Sequence, residues 1–254
     1  MTHPYFGEAG SVAALAHRGF SPSGLENSLA AFQAAVDLGY RWVETDAHGT
    51  ADGVAVALHD ATLDRTTDGS GRVSELAWSV VGRARIGGVE PVPLLEDVLG
   101  TWPELRVNVD VKERSGIGPV ADAIERTASH DRVCVGSFSA ARRDATVARL
   151  SRPVATSAAT AEGAAFFVSG RTGRVPAWAA RRVDAFQVPW LFRGRQVLTE
   201  RHVRTAHRAG RLVHVWTVND ADAMRTLLDL GVDGIISDRA DLLRDVLVER
   251  GLWR

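Results

Sequence analysis

Several amphipathic segments end in a glycine that is followed at once by a short apolar run: Gly39 before Arg41-Trp42-Val43-Glu44, Gly210 before Leu212-Val213-His214-Val215, and Gly231 before Asp233-Gly234-Ile235-Ile236. Glycine suits the left-handed residue just past a helix, and acids such as Asp220 and Asp238 stand where the next helix would begin. A helix-to-strand unit that recurs this way builds parallel βα structure. Strands are expected at about 12–16, 41–46, 105–111, 133–137, 153–158, 184–188, 211–217 and 233–237, and helices at about 28–38, 118–129, 139–149, 161–168, 199–209, 220–230 and 239–250.

Eight strands of this kind fit a closed α/β barrel of the TIM (β/α)8 type, and 254 residues suffice for one such domain. A doubly wound sheet is the weaker alternative. It calls for a glycine-rich phosphate loop after the first strand, where His17-Arg18-Gly19-Phe20 supplies one glycine. Between the second and third strands lies an irregular interval with Asp52-Gly53, Asp68-Gly69, Gly87-Gly88 and a β-like run over 54–58. It reads as a small insertion at about 47–93 within a single domain.

Composition narrows the function. Thirty basic residues face 31 acidic ones for a formal net charge of -1, which speaks against a nucleic-acid partner and against a basic face drawn to membranes. The sole cysteine, Cys134, sits in Val133-Cys134-Val135 and reads as a buried reduced thiol. No apolar run is long enough to span a bilayer, and residues 12–16 are too few for a secretory signal, so a soluble cytoplasmic protein without integral membrane contact is expected. Oligomeric state is left open.

The chemistry-bearing residues fall at strand ends, where barrel active sites gather. These are His17 and Arg18, Glu44 and Asp46, Asp110 and Lys112, then Trp216 and Asn219. Glu44 and Asp46 are two apart on a strand, on one face and about 7 Å apart along the backbone. In Val107-Asn108-Val109-Asp110-Val111-Lys112 the valines take one face and the polar residues the other. Three carboxylates near one another suit a divalent cation, and all-oxygen ligation favours magnesium or calcium, with manganese an alternative, over zinc. The competing reading pairs Glu44 and Asp46 with Arg41 or Lys112 as ordinary salt bridges.

Cleaving a phosphodiester needs a base and an acid near neutrality, roles that His17 and His59 suit. Arg18 and Lys112 could meet the phosphate charge, or could be tied to Glu26, Glu44 or Asp110. His48 continues the strand beyond Asp46 and is expected to be solvated where the chain turns into the insertion. His3, His130, His202 and His207 are expected to be solvated too. His214, inside the seventh strand, reads as a satisfied core histidine.

These residues come in an order that resembles the bacterial glycerophosphodiester phosphodiesterases, relatives of the phosphatidylinositol-specific phospholipases C. The resemblance runs through His17-Arg18-Gly19, Glu26-Asn27-Ser28, Glu44-Thr45-Asp46, Thr50-Ala51-Asp52-Gly53, His59-Asp60, Leu63-Asp64-Arg65-Thr66-Thr67, Pro93-Leu94-Leu95-Glu96, residues 108–112, Ser137-Phe138, Trp216-Thr217-Val218-Asn219 and residues 233–238. It implies a barrel with an insertion after the second strand, a divalent cation on Glu44, Asp46 and Asp110, and acid–base work by His17 and His59. It further implies glycerophosphodiester substrates that yield glycerol 3-phosphate and an alcohol, in a pocket to which Glu26, Phe138 and Trp216 contribute. For Phe138 a place in the core is the plainer alternative. Two positions depart from the family pattern: Asp110 stands where glutamate is common, one methylene shorter, and Ser28 where threonine is common. A lysophospholipase D-like activity and a barrel that binds phosphorylated polyols without cleaving them are the other readings. An amidohydrolase barrel is disfavoured, since its first strand would carry a His-x-His pair.

Overall fold

Period-two alternation decides which side chains enter the ring of strands. The computed structural model describes residues 3–8 and 10–253. Eight parallel strands are β1 (Ala13–His17), β2 (Trp42–Gly49), β3 (Arg106–Val111), β4 (Val133–Gly136), β5 (Ala155–Thr156), β6 (Ala185–Pro189), β7 (Leu212–Trp216) and β8 (Gly234–Ser237). They run β5-β4-β3-β2-β1-β8-β7-β6, and a parallel bridge from Ser157 to Ala185 joins the two ends, so the barrel closes. Val107, Val109 and Val111 point outward into the layer under the helices, while Asn108, Asp110 and Lys112 point toward the barrel axis. Among the described residues no helix is long and apolar enough to cross a membrane.

Helices follow the strands at Leu29–Asp37, Leu95–Thr101, Ile117–Arg126, Ala140–Val147, Thr160–Thr172, Glu200–Arg208, Ala221–Asp229 and Ala240–Glu249. Left-handed glycines end five of them, the expected Gly39 at φ 91°, Gly210 at 69° and Gly231 at 82°, together with Gly173 and Gly251. Asp220 caps its helix by accepting from Ala223 N, whereas Asp238 turns away from the helix it precedes. The seven-residue helix after Pro93 was not expected from periodicity.

The amino-terminal end of the barrel is stoppered. A 3₁₀ turn, Pro4–Phe6, buries Tyr5 and Phe6 against Leu15, Trp42, Cys134, Ala155, Ala185 and Ile236. Trp42 Nε1 donates to Tyr5 O at 2.9 Å, and Phe6 meets the His214 ring edge-on at 5.7 Å. Gly234 makes that ring's place, because a Cβ there would lie 2.7 Å from it. Cys134 is free and buried in this layer.

Strand β2 extends through Gly49 and pairs antiparallel with a short strand, Ala55–Ala57. The insertion that follows has a core of its own, built of Val56, Leu58, Leu63, Val73, Val81, Ala84, Ile86 and Val92. It sits at the carboxyl end of β2 and carries His59 toward the barrel mouth.

Four of the five histidines expected to be solvated are not. His48 is buried, 1% exposed, because β2 continues past Asp46 under the insertion. His130 is buried in a turn below β4 between Glu125 and Arg152. His3 and His202 are half-buried, each accepting from a nearby backbone N–H, and His207, on Asp233, is the exposed one of the four.

Candidate active site

His17 ends β1, and its Nδ1 lies 2.5 Å from Asp238 Oδ1, contributed by the residue just past β8. The two are 221 positions apart and meet because β1 and β8 are neighbours in the ring. Asn219, beyond β7, fixes the aspartate: its amide donates to Asp238 Oδ2 at 2.7 Å and its carbonyl accepts from Asp238 N at 3.0 Å. His17 Nε2 stands 3.7 Å from Glu44 Oε2. Burial would lower the imidazolium pKa, but Glu44 and the Asp238 bond outweigh it, so His17 titrates above its ordinary value.

The second histidine is held locally. His59 Nδ1 lies 2.6 Å from Asp60 Oδ1. Arg65 grips that aspartate through Nε and Nη2 and passes on to Glu26 Oε1 at 2.7 Å. From below, the buried His48 donates from Nε2 to His59 O at 3.2 Å. Burial lowers the His48 pKa, and its Nδ1 is buried without a hydrogen-bond partner.

Between the histidines run the acids. Asp46 is 2% exposed and fully engaged: Lys112 Nζ on Oδ1 at 2.8 Å, Asn27 Nδ2 on Oδ2 at 3.1 Å and Arg18 Nε beside Oδ2 at 3.1 Å. Burial opposes its charge, but Lys112 and Arg18 prevail and pull its pKa down. Glu44 has weaker help, from His17 and from Arg18, whose backbone N donates to Glu44 Oε2 at 3.3 Å. Burial, then Asp46 and Asp110, push its pKa up to about 8. Asp110 touches Lys112 through Oδ2 at 3.0 Å, and its Oδ1 is buried without a hydrogen-bond partner.

The turn after β1 explains Glu26-Asn27-Ser28. Arg18 takes φ 56° and Asn27 φ 60°, left-handed conformations that are uncommon outside glycine. Asn27 N donates to Arg18 O, Glu26 takes Arg18 Nη1 at 3.0 Å, and Ser28 caps the following helix. Gly19 tolerates nothing larger, since a Cβ would lie 2.6 Å from the Ala31 backbone.

His17, Arg18, Glu44, Asp46, His59, Asp110, Lys112, Phe138 and Trp216 all line one cavity of about 200 Å³ at the carboxyl ends of the strands. Glu26 does not; it lies behind Arg18 and Arg65, where it sets their position. Phe138 is 58% exposed at the mouth rather than in the core, edge-on to Trp216 at 6.0 Å. Asn108, Ser137, Ser157 and Gln187 are among the other wall residues, with Gln187 donating to Asn108 Oδ1. Asp238 is the residue that sequence reasoning misplaced. In the sequence it reads as a helix-start acid, although its position at a strand's carboxyl end carries the same signal that singles out His17.

The family model for the glycerophosphoryl diester phosphodiesterase family matches residues 17–242. The chain belongs to this family. A probable glycerophosphodiester phosphodiesterase 2 from Mycobacterium tuberculosis is 47% identical over 96% of this chain and 94% of its own length. A glycerophosphodiester phosphodiesterase from Caldanaerobacter subterraneus subsp. tengcongensis is 29% identical over 93% of this chain and 98% of its own. Among solved structures, an Oleispira antarctica phosphodiesterase in complex with the product sn-glycerol-3-phosphate superposes with a TM-score of 0.76 at 21% identity. The match covers 93% of this chain and 96% of that one.

Proposed function

We propose that this glycerophosphodiester phosphodiesterase cleaves small glycerophosphodiesters to glycerol 3-phosphate and an alcohol, with His17 and His59 dividing the acid and base roles. The observation that carries the reading is the presence of two His–carboxylate pairs on one cavity, His17–Asp238 and His59–Asp60. In each, the aspartate accepts from Nδ1–H, which leaves Nε2 free to take or give a proton and stabilises the imidazolium that forms. One imidazole takes the proton of the attacking oxygen, from water or from the substrate's own glycerol hydroxyl, as the new P–O bond forms. The bond to the departing alkoxide breaks with its electron pair, and that oxygen is protonated by the other ring; on the hydroxyl route the cyclic phosphate so formed is then opened by water to glycerol 3-phosphate. Arg18 and Lys112, already fixed by carboxylates, present their remaining N–H groups to the phosphoryl oxygens.

A divalent cation, magnesium or calcium, fits two of the three expected acids as they stand. Asp110 Oδ1 is a buried acceptor with no donor, and the raised pKa of Glu44 marks a place short of positive charge. Asp46 is occupied by Lys112, Asn27 and Arg18, so among the described residues three donors do not converge without rearrangement of Lys112. When bound on Glu44 and Asp110, with Asp46 as the third expected ligand, the cation supplies charge to the phosphoryl oxygens. A cytoplasmic setting goes with the free, buried Cys134.

A second reading, cleavage of the same bond in lysophospholipids, is favoured by Phe138, whose exposed ring at the mouth offers an apolar contact to an acyl chain. The test is release of choline from glycerophosphocholine, with glycerol 3-phosphate as co-product, and in parallel from lysophosphatidylcholine, with lysophosphatidate as co-product. Turnover abolished by chelator and restored by magnesium or calcium supports the cation. Chelator-insensitive turnover removes the cation from the account, and tight binding of glycerophosphodiesters without product would make the protein a polyol-phosphate binder.

A further inference from the structure

The loop after β6 shows to solvent what the rest of the barrel covers. Residues 191–196 are all exposed, with Leu191 at 38% and Phe192 at 62%. They form a small antiparallel ribbon, Leu191–Phe192 against Arg195–Gln196, with Leu191 opposite Gln196 and Phe192 opposite Arg195. Arg193 at φ 50° and Gly194 at φ 74° make the turn, the two left-handed residues that a tight hairpin needs. The tip therefore has a defined shape. Arg193 lies against the Phe192 ring, its guanidinium carbon 5.5 Å from the ring centre.

Charge on the ribbon is one-sided. From Trp190 to Leu198 the sequence holds two arginines and no acid. Its place is also particular, because β6 delivers it to the end of the barrel where the cavity opens. Of the eight large apolar side chains exposed among the described residues, Phe138, Leu191 and Phe192 follow barrel strands at this end, and Val80 and Val89 belong to the insertion after β2. Two of the three at this end, Leu191 and Phe192, are adjacent on the ribbon and make one apolar tip.

We propose that the hairpin 190–196 docks the enzyme on an anionic lipid surface, with the cavity mouth turned toward the headgroups. Phe192 and Leu191 enter the boundary between headgroups and acyl chains, and Arg193 and Arg195 meet lipid phosphates. The chain's net charge of -1 gives no overall attraction to such a surface, so attachment rests on this ribbon. Two-residue strands are too small an area for a stable protein interface, which ordinarily buries about 800 Å² per partner. The proposal stands apart from the catalytic reading, since vesicle binding is measured without turnover.

The test is co-sedimentation of the whole chain with vesicles of phosphatidylcholine containing phosphatidylglycerol, against vesicles of phosphatidylcholine alone. Light scattering monitors oligomeric state, and turnover of water-soluble glycerophosphocholine monitors the fold. Binding is expected on the anionic vesicles. It should fall about tenfold or more in the Leu191→Ser/Phe192→Ser variant, and about fivefold for each of Arg193→Asn and Arg195→Gln, with turnover of the soluble substrate unchanged. Absence of binding by the unaltered chain, or equal binding by the variants, overturns the proposal. So does a dimer that the serine variant dissolves while vesicle binding persists.

Discussion

The two ends of the barrel interior are built on the same alternation yet filled in opposite ways. At the amino-terminal end, inward positions hold Leu15, Trp42, Cys134, Ala155 and Ala185, closed off by Tyr5 and Phe6. At the carboxyl ends of β1, β2 and β3, the positions facing the cavity hold His17, Glu44, Asp46, Asp110 and Lys112. The lower layer gains its free energy from burial and has no charge to satisfy. The upper layer keeps charges half-compensated, as the pKa of about 8 at Glu44 and the unpartnered Asp110 Oδ1 record. Stability and chemistry are separated along each strand by one or two turns of the pleat. Changes at the top should therefore cost turnover, and changes at the bottom should cost stability.

The largest effect is expected at the top. Replacing His17 or His59 with alanine should lower kcat by about 10²–10⁴-fold, the usual worth of a positioned acid or base, with a thermal midpoint close to that of the unaltered chain. Next comes the bottom. Phe6→Ala should cost about 3–5 kcal/mol of unfolding free energy in urea titrations, with kcat preserved wherever the variant is folded. A variant that loses turnover in step with stability at either end would erase the separation.

Asp238→Asn sharpens the comparison within the upper layer. The amide keeps its shape beside Asn219 but loses the charge that holds the His17 tautomer, so kcat should fall about 10–10²-fold, the worth of one charge-assisted hydrogen bond. His214 sharpens it in the lower layer. Burial pulls its pKa down to about 4, whereas in the unfolded chain a histidine titrates near 6.5. Between those values the unfolded chain takes up the proton first, so stability should decline as pH falls through this window, by roughly 2 kcal/mol between pH 6.5 and 5. His214→Asn should flatten that slope in urea titrations at the two pH values, whatever it does to stability at pH 7.

Which parts of this plan could be read from the sequence follows the same division. Periodic, solvent-facing elements declared themselves, and so did the glycine stops at 39, 210 and 231, because local backbone chemistry dictates them. The helix Thr160–Thr172 runs past the end expected at 168 and takes in Gly170, whose lack of a Cβ makes space for His202: a Cβ there would lie 2.0 Å from His202 Nε2. Only the packed structure shows that. The fifth strand shrank from six expected residues to the pair Ala155–Thr156, whose partners are Cys134 and Val135.

At the site, His59–Asp60 was legible because its partner is the next residue, whereas His17–Asp238 depends on barrel closure between the first and last strands. The burial of His48 beneath His59 was likewise invisible, since it arises from the insertion folding back over β2. The short stopper at Pro4–Phe6 carries no periodicity at all; its role comes from where the barrel leaves a hole.

The central claim is that His17 and His59 hold opposite proton-transfer roles across one cavity, and the pH dependence of kcat/KM tests it most directly. For the unaltered chain on glycerophosphocholine at saturating cation, a bell with an acid and a basic limb is expected. His17→Ala should remove one limb and His59→Ala the other. Loss of the same limb in both variants, or an intact bell in either, would contradict the account.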